Sequence, residues 1–105
     1  MAKYYYTTHP KREAKGVDPI RWQESVVRDT EDRLRRREEV KKRTERLLQV
    51  VKAEEPYIGP RWTDPIVQAL RNALTQIGSA VDSQRQYVQA EREELQRVRQ
   101  MPVKS

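Results

Sequence analysis

The 105-residue chain has no cysteine, no phenylalanine, a single histidine and no long apolar run. Each absence excludes something. Without cysteine there can be no disulfide, no thiolate nucleophile and no cysteine-type zinc site, a composition that fits a reducing compartment. His9 stands beside Pro10 with no clustered carboxylates. It therefore reads as a turn residue, not as a metal ligand or a catalytic base. No stretch approaches the ~18 apolar residues of a membrane span. Residues 1–17 lack the apolar core of a signal peptide. Lys3, Lys11, Arg12 and Lys15 would suit an organellar presequence, but the run Tyr4-Tyr5-Tyr6 and Glu13 would not. The expectation is a soluble, intracellular, cytoplasmic chain, with the cytoskeleton as one setting.

Charge is what the chain does have. Of its residues 36% are charged and 35% apolar, with a formal net charge of +6. That leaves little material for an independent core, so stability is expected to come from self-association or from a larger partner. Two triplets, Asp18-Pro19-Ile20 and Asp64-Pro65-Ile66, read as helix starts. In each, Asp caps the first unpaired N–H groups and Pro occupies the position where a missing N–H costs nothing. They divide the chain into a basic, tyrosine-rich extended tail (1–17), a first helix (18–55), a Pro/Gly/Trp hinge (56–64), a second helix (65–101) and a short C-terminal tail (102–105).

In the first helix the apolar residues gather at the ends, as Ile20, Trp22, Val26 and Val27, then Leu47, Leu48, Val50 and Val51. Only Leu34 and Val40 interrupt the charged middle. Glu31 before Arg35, Glu38 before Lys42 and Glu39 before Arg43 predict pairs within the helix, each contributing ~0.2–0.5 kcal/mol on a solvated face. Arg35, Arg36 and Arg37 also suggest a basic face toward nucleic acid, but the interleaved acids would repel a phosphate backbone.

The second helix carries a heptad seam. Val67, Leu74, Val81, Val88 and Leu95 occupy one position, and Leu70, Ile77, Gln84, Glu91 and Val98 the other, so eight of ten seam residues are apolar. Such a repeat favours knobs-into-holes packing on another helix, with Gln84 and Glu91 fixing register. Arg71, Arg85, Arg92 and Arg99 flank the seam as partner-selecting charge, and Ile66, Ala69, Ala73 and Ala80 widen its first half. Gly78 would permit a close crossing. The fold expected is all-α: two long helices in an antiparallel, coiled-coil-like hairpin. On that reading hydrophobic density peaks at the closed end, capped by Tyr57, Ile58 and Trp62. Helices taking separate paths over a large partner are the other arrangement the hinge allows.

A hairpin of this length with a mid-chain Trp62 and the spacing Tyr87-x-x-x-Glu91 resembles the small secreted substrates of type VII secretion, although Trp62-Thr63-Asp64 stands where those proteins carry Trp-x-Gly. The resemblance implies an exported helical hairpin. In general style the chain is also similar to the small helical proteins that line ciliary microtubules or fill gaps in ribosomes and respiratory complexes. No constellation of catalytic, cofactor-binding or metal-ligating residues assembles. The leading expectation is a non-enzymatic structural or adaptor subunit. Its partner contacts would come from Tyr4, Tyr5, Tyr6, Trp22, Trp62 and the apolar seam residues, through self-association or binding to other proteins. A basic nucleic-acid-binding accessory protein is the alternative, and a secreted type VII hairpin the second alternative.

Overall fold

The computed structural model describes residues 18–100. Asp18 is extended, and its Oδ1 accepts from the N–H groups of Ile20 (3.0 Å) and Arg21 (3.4 Å). Its backbone carbonyl takes the Trp22 N–H at 2.9 Å. This cap starts α1, Pro19–Ile58, with Pro19 in the first turn. A second helix, α2, runs Pro60–Gln100. The two pack together as a helical hairpin. At 1.5 Å per residue each rod is about 60 Å long.

The hinge expected over 56–64 is not a loop. It reduces to Gly59, so α1 extends past residue 55 and α2 begins before residue 65. Gly59 serves both helices: its N–H donates to the Glu55 carbonyl (2.8 Å), and its own carbonyl accepts from Trp62 and Thr63 N–H, both at 3.1 Å. At φ 102° it lies where a side chain would be strained, so a glycine is required. Pro60 occupies the first turn of α2, the place proline tolerates best. Asp64 and Pro65, expected to open the second helix, lie inside it. Pro56 and Pro65 each remove one helical hydrogen bond, but both stand on exposed turns where water can hydrate the freed carbonyl. Keeping the helices continuous retains the remaining backbone bonds of a segment that a loop would have left open.

All ten seam residues of α2 are buried or half-buried. They meet two lanes of α1: Gln23, Thr30, Arg37, Thr44 and Val51, and Val27, Leu34, Lys41, Leu48 and Glu55. Except for Arg37, these too are buried or half-buried. The α1 side of the interface is thus largely polar. No helix among the described residues is long and apolar enough to cross a membrane.

Candidate interaction surface

Polar groups hold the half of the hairpin remote from Gly59, here the open half. Gln23 Nε2 donates to the Glu91 carbonyl at 3.0 Å and to Glu91 Oε1 at 2.7 Å; both side chains are fully buried. Gln84 Nε2 donates to the Thr30 carbonyl at 3.0 Å, while the Thr30 hydroxyl donates to the Val27 carbonyl at 2.9 Å. The two polar seam residues therefore pin one helix to the other, because any slip along the seam would leave buried amide and carboxylate groups without these partners. Val27, Val81, Val88, Leu95 and Val98 fill the space around them.

A ladder of ion pairs runs along one flank. Arg85 reaches Glu38 at 3.0 Å, Arg92 reaches Glu31 at 2.6 Å, and Arg99 reaches Glu24 at 3.0 Å. Each step of seven along α2 matches a step of seven back along α1. Glu31 and Glu38 thus pair across the hairpin, where the sequence suggested Arg35 and Lys42 within the helix. The cross-helix partner wins because antiparallel packing brings the long guanidinium side chains directly over them. Continued toward Gly59, the register places Gly78 opposite Glu45 and Arg71 opposite Lys52. The ladder ends where its arginine is missing. A Cβ added at Gly78 would meet nothing within 4 Å, so this glycine opens space and marks no close crossing. A cleft of about 680 Å³ lies at this point, lined by Lys42, Glu45, Arg46, Leu48, Gln49, Val50 and Leu74.

The closed half, near Gly59, reverses the expected gradient. Leu47 is 51% exposed, Trp62 62% and Tyr57 85%, and Val40, Val50, Ile58 and Ile66 are exposed as well. Hydrophobic burial is therefore densest in the open half, and Tyr57, Ile58 and Trp62 do not cap the closed end. Two helices bury only the lanes that face each other. Leu47, Val50 and Ile66 lie outside those lanes, while Leu48 and Val51 lie within them. The Arg61 guanidinium stands 5.4 Å from the centre of the exposed Trp62 ring.

The proposed contact residues separate into distinct groups. Tyr4, Tyr5, Tyr6 and His9 lie outside the described residues. Trp22 is half-buried, Trp62 is exposed, and the apolar seam residues face α1. The basic-face arginines are exposed, and most are engaged within the chain: Arg35 and Arg36 bind Asp32, Arg37 donates to the Ala80 carbonyl at 2.8 Å, and Arg85, Arg92 and Arg99 form the ladder. Arg71 is exposed. Glu91 of the Tyr87-x-x-x-Glu91 spacing is the acceptor for Gln23. Glu94, fully inside, pairs with Arg97.

A second flank was not apparent from the seam. A cavity of about 210 Å³ is lined by Arg36, Arg37, Val40, Ile77 and Ala80, which sets Val40 beside Ala80 across the hairpin. One heptad toward Gly59 the same register sets Leu47 beside Ala73. The signal lay in comparing lanes of both helices at once, large residues on α1 opposite alanines on α2. Among the described residues, no group of three or more His, Cys, Asp or Glu side chains is placed to hold a metal ion. No protein-family model, curated protein or solved structure matches this chain.

Proposed function

We propose that this chain is a non-enzymatic structural or adaptor subunit whose hairpin packs into a larger protein assembly within the cell. The observation supporting this reading is the division of labour in the hairpin. The open half closes on itself through buried cross-helix hydrogen bonds and apolar contacts, while the closed half presents Leu47, Trp62, Tyr57 and Ile66 to solvent. Large apolar side chains gathered in one half and left in water suit a surface that another molecule covers. The nucleic-acid reading is weaker, because the arginines that would meet phosphates are mostly held by carboxylates of the same chain.

Size fractionation of a native extract, following an epitope-tagged chain, tests the proposal. The chain should migrate in a complex well above its own 12.5 kDa. Ile77→Asp, which places a charge in the half-buried seam, should release it and lower helicity, whereas Gln86→Asp, on an exposed lane away from the seam, should leave it in place. Migration of the unaltered chain at its own mass would refute the assembly role.

A further inference from the structure

We infer that the flank formed by Val40, Leu47 and Ile66 with Ala73 and Ala80 is the docking strip for one amphipathic helix of another protein, edged with acidic residues. The inference rests on the assembly reading and specifies which surface is used and by what.

The α2 side of this strip carries no charge: the residues at helical spacing from Trp62 through Ile66, Ala69, Ala73, Gln76 and Ala80 are all neutral. The α1 side, at positions 33, 36, 40, 43, 47 and 50, holds Arg33, Arg36 and Arg43; Arg36 is paired with Asp32, and the lane reaches an acid at Glu54, beside Ile66. Val40, Leu47 and Ile66 are each about half exposed, and the cavity of about 210 Å³ lies between the first of them and Ala80. Small residues on one wall and a larger one on the other leave this cavity, and the register repeats the pairing at Leu47 and Ala73. The lanes of α1 and α2 that border it already have their main-chain groups bonded within the helices. An extended peptide would gain no backbone hydrogen bonds there, whereas a helix brings its own backbone satisfied and offers only side chains. The charge along the edge selects the partner. Acids flanking the apolar stripe of the incoming helix would meet Arg33 and Arg43. A second copy of this chain fits less well. Strip against strip, each arginine edge meets either the uncharged α2 side or another arginine edge.

The test uses the full chain and two synthetic amphipathic helical peptides with the same leucine stripe, one flanked by glutamates and the other by lysines. Fluorescence anisotropy should show the glutamate peptide binding about tenfold more tightly or better. Leu47→Asp should weaken it at least tenfold, and Gln86→Asp, on an exposed lane away from the strip, should not. Circular dichroism of both variants should match the parent. Arg43→Glu supplies an arm that does not touch the packing: it should narrow the gap between the peptides. Equal binding of both peptides, binding of neither, or self-association that Leu47→Asp abolishes would each overturn the inference. If both peptides fail while the native chain still fractionates in a large complex, the strip is wrong and the assembly role stands.

Discussion

The open and closed halves of the hairpin differ in the opposite sense from their hydrophobicity. Around Gln23, Thr30, Gln84 and Glu91 the open half carries amides, a hydroxyl and a carboxylate at its seam, yet all four are buried, Gln23 and Glu91 completely. Around Leu47, Val50, Ile58 and Ile66 the closed half is richer in large apolar residues, and they are exposed. Burial here follows lane position and partner geometry. A polar residue on a facing lane that bonds across the hairpin is sealed, and an apolar residue one lane away is left in water.

The largest expected effect sets the halves against each other. Val88→Asp would put a carboxylate into the sealed seam and should unfold the hairpin or cost several kcal/mol. Leu47→Asp should change the denaturation midpoint little, because Leu47 is already half in water. Comparable losses from the two would erase the distinction. A smaller loss, about 1–3 kcal/mol, is expected for Gln23→Ala, which removes the side-chain donor that Glu91 receives from α1. Urea unfolding measures it; a variant as stable as the parent would mean the buried amide does not help set the register.

At the boundary between the halves the expected sign changes. Gly78→Arg should stabilise the chain, since a side chain there meets open space, removes a helix-weakening glycine and faces Glu45. A gain of about 1 kcal/mol corresponds to a rise in Tm of roughly 4–8 °C for a domain of this size. A lower Tm would show that the ladder register does not extend past Arg85. The smallest effect belongs to the ladder itself. A double-mutant cycle on Glu31→Gln and Arg92→Gln should give a coupling of about 0.2–1 kcal/mol, shrinking in high salt, because both side chains remain partly exposed.

The second helix was legible because its seam repeats without interruption from Val67 to Val98, and the start of α1 because Asp18-Pro19 combines a cap with a first-turn proline. The turn was not legible. Pro56, Pro60 and Gly59 read as a loop and Pro65 as a helix start, whereas Gly59 alone turns the chain and Pro56 and Pro65 are absorbed into exposed helical turns. The α1 interface escaped apolar periodicity because Gln23, Thr30, Arg37 and Lys41 occupy its inward lanes. Glu24, Glu31 and Glu38 read as partners for bases on their own helix until the antiparallel register joined them to Arg99, Arg92 and Arg85. The exposed strip was hidden for a related reason. Leu47 and Leu48 are indistinguishable by composition, and only the partner helix decides which of them is covered.

Residue-resolved amide hydrogen exchange on the isolated full chain tests most directly whether the polar, sealed half holds the hairpin together. Opening free energies reflect local packing, so the amides of 23–30 and 81–98 should be the most protected, and those of 44–70 should exchange orders of magnitude faster. Protection that is uniform along both helices, or greatest beside Gly59, would contradict it.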